Sequence, residues 1–322
     1  MREEARQLEK TLRPLLSSEG GIPSRLVVHP IRRGHLSRVF RGQDPAVNRS
    51  VVIKVCVDPI TGQADSVNAG DYYEALSSVV ALAQLDDKIG CAKPILLLRA
   101  QAIVVASWID GPTVEQVVQR GSRLEARRAI TLSGEWLARF HGAAGLTQKI
   151  WDLRSARARL DEMFQATVQS HLSSSVLAQA VRTLHQTAER VSAIPIPWSR
   201  QHGDFKPGNL ILTADGVAAI DIDFRAPAPC IVDAAQFLNH GALQRPWRLR
   251  RSGWVSFVDE AFSAGSVLGG ANLPALPLAW ARLHHVVRLH TQYRQWSKPP
   301  KSWITGWSIH CLMQRLTAEL AL

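Results

Sequence analysis

The 322-residue chain has no apolar run long enough to cross a bilayer. Its best candidate, Ile95 to Ile109, is broken by Arg99 and Gln101. No apolar core follows Met1-Arg2-Glu3-Glu4, so no secretory leader is expected. There is no low-complexity tract and no repeat of fixed period. Cysteine is sparse: Cys56, Cys91, Cys230 and Cys311 lie far apart and fit no metal or disulfide pattern. They read as reduced thiols of a cytoplasmic protein. Acidic side chains are in deficit, 27 against 38 basic ones, for a net charge of +11. The excess is uneven. Residues 1–110 carry 14 basic and 12 acidic side chains, and residues 111–322 carry 24 and 15. A basic surface concentrates anions, so phosphates, anionic lipid or nucleic acid are the expected partners. Peripheral membrane contact stays open, although no transmembrane segment is expected.

Apolar residues make up 46% of the chain and ten are Trp, enough for a sizeable core. Residues 2–17 have the spacing of a short amphipathic helix. Leu26 to Val28, Ser37 to Arg41, Val51 to Val57, Ile95 to Leu98 and Ala102 to Ser107 read as strands, with a helix from Asp71 to Leu85. Asp110-Gly111-Pro112 is a break, and helical spacing dominates beyond it. Leu124 to His141 places Ile130, Trp136, Leu137 and Phe140 on one face. One or two helices follow over residues 153–192, ended at Ile194-Pro195-Ile196-Pro197. Leu210 to Leu212 and Val217 to Ile222 flank Asp215-Gly216, a hairpin signal. Everything from Ile231 reads as mostly helical, with breaks near Pro246, Gly269-Gly270 and Pro299-Pro300. The pattern predicts an α+β protein of two lobes, a small antiparallel-sheet lobe over residues 1–107, a joint at 108–111 and a helical lobe over 112–322, with a cleft between them.

One stretch carries chemistry: His202-Gly203-Asp204-Phe205-Lys206-Pro207-Gly208-Asn209, followed by Ile220-Asp221-Ile222-Asp223. Phosphoryl transfer needs a carboxylate to orient an acceptor hydroxyl and take its proton, and hard oxygens to hold magnesium. Asp204, in a loop before a strand, suits the first role. Asn209 and Asp221 suit the second, since the hairpin is expected to fold Asp221 back beside Asn209. Asp223 reads either as a further metal contact or as the cap of the next turn.

The same stretch resembles the catalytic and metal-binding loops of the aminoglycoside phosphotransferase and choline kinase-like family, which shares the protein-kinase fold. That pattern is His-Gly-Asp, four residues, Asn, a hairpin and Ile-Asp, matched here at His202, Gly203, Asp204, Asn209, Ile220 and Asp221. The resemblance extends from about residue 28 to residue 240. It implies that Lys54 contacts the nucleotide phosphates and that Glu74 pairs with Lys54. It implies that the backbone of Ser107, Trp108 and Ile109 binds adenine as the hinge. Asp233 would hold the catalytic loop by hydrogen bonds, and Trp136 to His141 would be the helix ending in Leu-His or its equivalent. The phosphate-covering segment departs from the pattern, because Ile31 to Arg38 holds only Gly34; Arg32, Arg33 or Ser37 are the candidates for phosphate contact there. Lys206 stands two residues after Asp204, as in Ser/Thr protein kinases, where it would offset charge on the moving phosphoryl group.

Residues 241–301 hold nine basic side chains against Asp259 and Glu260, interleaved with Trp247, Trp254, Trp280 and Trp296. A basic acceptor side would repel a polycationic antibiotic. The expectation is therefore an ATP- and Mg2+-dependent small-molecule kinase acting on a neutral or anionic acceptor, such as a sugar or sugar phosphate. Two alternatives stay open. One is a protein kinase-like enzyme, suggested by Lys206 but lacking Phe-Gly after Asp221. The other is a catalytically weak module docking an anionic partner. Arg and aromatic interleaving also suits nucleic acid, a partner not favoured over a small molecule.

Overall fold

A computed structural model describes residues 1–18, 26–34, 36–44, 49–169, 175–245, 249, 253–296 and 301–321. These form two compact units. The first comprises residues 1–84, 90–110 and 218–223, and the second residues 85–89, 111–217 and 224–322.

The first unit is built on a five-stranded antiparallel sheet. Its strands are β1 (Val27–Arg33), β2 (Ser37–Asp44), β3 (Arg49–Cys56), β5 (Pro94–Leu98) and β6 (Ile103–Ser107), in the order β1-β2-β3-β6-β5. Strand alternation divides its side chains between two faces. Val51, Ile53, Val55, Ile103 and Val105 join Leu26 and Phe40 in one core cluster, which Ala5, Leu8 and Leu12 of helix α1 (Arg2–Ser18) complete. The spacing of those three residues is the helical stripe that the sequence shows. The Glu9 carboxylate ties α1 to the sheet by accepting from the Val28 N–H at 2.8 Å. Cys56, Val104 and Ala106 pack on the other face against Ala69 and Leu76 of α2 (Ser66–Ala83). Helix α2 starts five residues earlier than expected, because Asp65 caps it by accepting from the Asn68 N–H. A short strand, β4 (Gly90–Cys91), was not read from the sequence; it pairs in parallel with β10 (Val217–Ala219).

The second unit is mainly helical. Helices α3 (Val114–Arg120) and α4 (Arg123–Ala143) both begin on capping boxes, Thr113 with Gln116 and Ser122 with Glu125. Helices α5 (Arg154–Gln169), α6 (Ser175–Ser192), α7 (Ile231–Leu243), α8 (Gly253–Leu268), α9 (Ala275–Trp296) and α10 (Lys301–Ala321) follow. Helices α4 and α8 approach closely through glycine. A Cβ at Gly265 would collide with the Thr131 carbonyl, and one at Gly134 with the Phe262 carbonyl. Helix α6 ends at Ser192, just before Ile194–Pro197 as expected, but Pro195–Gln201, not read as a strand, is β8, the central strand of an antiparallel sheet with β7 (Thr147–Ile150) and β11 (Arg225–Pro229). The expected breaks at Pro246 and at Pro299-Pro300 lie outside the described residues. The hairpin turn is present, with the Thr213 N–H donating to the Gly216 carbonyl at 2.9 Å.

Candidate active site

The loop between β8 and β9 (Leu210–Leu212) is held by the first turns of α7. Asp233 is 1% exposed. Its Oδ2 accepts from the His202 N–H at 2.8 Å, and its Oδ1 from the Gly203 N–H at 3.1 Å. His141 Nε2 lies 3.2 Å from Oδ2. A buried carboxylate needs such donors, and these are the hydrogen bonds the resemblance implies for Asp233. One turn along α7, Gln236 Oε1 accepts from the Phe205 N–H at 3.1 Å. Gly203 has φ +88°, a left-handed conformation that favours glycine. Phe205 is fully buried between Trp136 and Phe237, with ring centroids 5.7 and 5.4 Å away. Backbone clamps and an aromatic stack therefore fix the loop on which Asp204 stands.

Asp204, Lys206 and Asn209 come together on this loop. Lys206 Nζ lies 2.5 Å from Asp204 Oδ2. Asn209 Nδ2 donates to the same oxygen and to the Asp204 carbonyl, both at 2.9 Å. Both hydrogen bonds use the amide nitrogen, so the amide oxygen is the end of Asn209 suited to a cation. An amide oxygen is a hard ligand of the kind magnesium takes, and so is a carboxylate such as that of Asp221 in the first unit. The Asp204 side chain is 46% exposed.

In the first unit, Lys54 Nζ lies 2.9 Å from Asp221 Oδ1 and 3.7 Å from the centroid of the Tyr72 ring. Lys54 belongs to the face of β3 shared with Val52 and Cys56, the face that α2 covers. Burial alone would push its ammonium down; Tyr72 and the Asp221 carboxylate outweigh burial, and the net shift is upward. Asp221 has φ +54°, an uncommon conformation for a non-glycine residue of the kind that collects at functional sites.

Glu74 does not meet Lys54, contrary to expectation. Its exposed carboxylate lies 3.7 Å from Arg99 Nη2. The reason is helical phase. Ala69, Tyr72, Leu76 and Val79 form the stripe of α2 that packs inward, and Glu74, two residues past Tyr72, points roughly 200° away from it. That stripe was visible in the sequence and identifies Tyr72, which motif matching passed over.

At the hinge, the Ser107 N–H donates to the Lys93 carbonyl at 2.8 Å and the Trp108 N–H to the Ser50 carbonyl at 3.3 Å. Those two donors are therefore engaged within the first unit. The Trp108 indole donates to Asp110 at 2.9 Å and lies under the Arg41 guanidinium, 4.5 Å away. In the phosphate-covering segment, Arg32 and Arg33 are exposed, and the Gly34 N–H donates to the Ser37 carbonyl at 2.8 Å. His35 lies outside the described residues.

The basic block of residues 241–301 is corrected in part. Arg245 is buried and donates to the carbonyls of Val118 and Gly121, with its guanidinium 5.0 Å from the Trp254 ring. Arg282 is buried and pairs with Asp259 at 2.9 Å. Trp254 and Trp280 are core residues. These arginines tie helices together and do not line an acceptor surface; counting charge along a sequence cannot see burial. Arg248, Arg250, Arg251, Trp247 and Lys298 lie outside the described residues. Sequence reasoning also missed His240, one turn beyond Gln236 on α7. It is within electrostatic reach of Lys206 and Asp204, and its ring lies 5.5 Å from that of His285. Burial, with the Lys206 charge, pushes His240 down to about 4.

The model of the phosphotransferase enzyme family matches residues 27–267. No curated protein matches the chain. Among solved structures, a choline/ethanolamine kinase family protein from Mesorhizobium loti is 12% identical, covering 98% of this chain and 95% of that one, with a TM-score of 0.64. Choline kinase LicA from Streptococcus pneumoniae is 11% identical over 100% and 99% of the two chains, with a TM-score of 0.61. An amicoumacin kinase, solved in complex with AMP-PNP, Ca2+ and Ami, is 12% identical over 99% and 96%, with a TM-score of 0.60. At such identities the likeness is one of fold: a kinase-like fold with an antiparallel sheet toward the amino terminus and a mostly helical remainder.

Proposed function

Because the chain belongs to the phosphotransferase enzyme family, we propose that it moves the γ-phosphate of ATP to a hydroxyl of a small molecule. The observation that carries this reading is the cluster of Asp204, Lys206 and Asn209 on a loop clamped by Asp233. Asp204 orients the acceptor hydroxyl and accepts its proton. Lys206, now paired with Asp204, offsets charge on the phosphoryl group in transit. Lys54 holds the nucleotide phosphates. Asn209 and Asp221 would each supply an oxygen ligand to magnesium, which would offset the charge of the phosphates. The carbonyls of the hinge and the Ile109 N–H suit the edge of adenine.

For the acceptor, we propose a neutral or anionic hydroxyl compound, such as a sugar or sugar phosphate. The net charge of +11 disfavours a polycation. His240 supplies an uncharged imidazole on the α7 face that follows the catalytic loop, suited to exchanging hydrogen bonds with a hydroxyl. The test is transfer of radiolabel from γ-labelled ATP to a panel of sugars, amino alcohols and aminoglycosides. Label on a neutral or anionic member supports the reading; label confined to cationic members contradicts the acceptor assignment.

A further inference from the structure

Helix α2 meets Lys54 through an aromatic ring and not through a carboxylate. The Lys54 ammonium lies over the Tyr72 ring at 3.7 Å and pairs with the Asp221 carboxylate at 2.9 Å. Glu74 faces Arg99 instead. We propose that Tyr72 is the positioning residue of the nucleotide site: its ring face holds Lys54 in the direction that meets the Asp221 carboxylate. The inference rests on the reading of Lys54 as a phosphate ligand and Asp221 as a metal ligand.

The physical logic is one of charge. A helix carboxylate in that position would neutralise Lys54. A ring attracts the ammonium through its quadrupole and adds no net charge, so the whole cation remains for Asp221 and for an incoming triphosphate. The ring also narrows the choices of a long, flexible side chain before the ligand arrives, which lowers the ordering cost of binding. One side chain on the inward stripe of α2 thus sets the direction of the phosphate-binding cation.

Two measurements on the full chain test this. The first is the rate at which an amine-reactive ester labels Lys54 at mildly alkaline pH without nucleotide, read by peptide mass spectrometry. The second is calorimetric titration with AMP-PNP and magnesium. Tyr72→Leu is expected to speed Lys54 labelling several-fold and to weaken AMP-PNP binding about 10-fold. Tyr72→Phe keeps the ring face and is expected to label at the wild-type rate. Glu74→Gln is expected to match wild type in both. The proposal is overturned if Tyr72→Leu labels and binds as wild type does, or if Glu74→Gln reproduces its effects. Should Tyr72→Leu not fold, faster labelling in Tyr72→Phe than in wild type overturns it, because the ring face alone would then not hold the lysine. Absence of AMP-PNP binding by wild type would count against the nucleotide reading itself, and the labelling rates would still decide whether Tyr72 holds Lys54.

Discussion

Lys54 Nζ and Asp221 Oδ1 lie 2.9 Å apart although 167 positions separate the two residues in the chain. The side chains are 17% and 35% exposed, between the surface and interior limits for an ion pair. Lys54→Met leaves Asp221 without its cation and is expected to cost about 1–2 kcal/mol of stability. It should also weaken AMP-PNP binding. Urea unfolding and calorimetry on the same preparation measure both effects.

Asp233 gathers two backbone donors and His141 at a buried point. Asp233→Ala leaves the N–H groups of His202 and Gly203 unpaired, at an expected cost of about 2–4 kcal/mol. Turnover should fall with it, because the loop carrying Asp204 loses its anchor. Chemical denaturation gives the first number and initial rates the second; Asp233→Asn, which keeps part of the hydrogen bonding, should fall between Ala and wild type in both.

Three histidines of the second unit titrate far from their ordinary range. Burial pushes His240 and His284 down to about 4 and His285 well below 6.5. The unfolded chain binds these protons near pH 6.5; the folded chain holds off those of His240 and His284 until about pH 4, and that of His285 to well below 6.5. Between those values the unfolded state carries more protons, so stability rises with pH. The penalty is absent above about pH 6.5 and grows as pH falls toward 4, to on the order of 3 kcal/mol each for His240 and His284. Melting temperature as a function of pH checks this. His240→Gln should flatten part of the slope.

Arg245 donates to two carbonyls at the C-terminal end of α3, those of Val118 and Gly121. Arg245→Ala leaves those acceptors unpaired in a packed region and is expected to destabilise the chain by about 2–3 kcal/mol. The KM for the acceptor should not change, since the guanidinium is committed to helix ends. A raised acceptor KM with unchanged melting would restore the reading of this arginine as an acceptor contact.

The catalytic loop was legible because its chemistry demands fixed residue types at fixed spacing: Asp204, Lys206 and Asn209 stand within six positions and meet in space. The strands around Lys54 were legible from β-branched runs. Three features were hidden for physical reasons. The β7-β8-β11 sheet was missed because Pro195 and Pro197 lack the donors of an ordinary central strand, yet both pair with β7, opposite Ile150 and Gln148. Tyr72 was missed because a motif selected the carboxylate at Glu74, while helical phase selects the inward stripe. The role of Arg245 and Arg282 was misjudged because a count of charges is blind to depth.

The most direct test of the account is the rate of γ-phosphate transfer from magnesium-ATP to the best small-molecule acceptor, compared between wild type and Asp204→Asn. Nucleotide affinity is measured alongside. The account predicts a loss of at least about 100-fold in turnover with AMP-PNP affinity nearly unchanged, because Asp204 acts on the acceptor and not on the nucleotide. Wild-type turnover in Asp204→Asn, or label that reaches only protein and no small molecule, would contradict it.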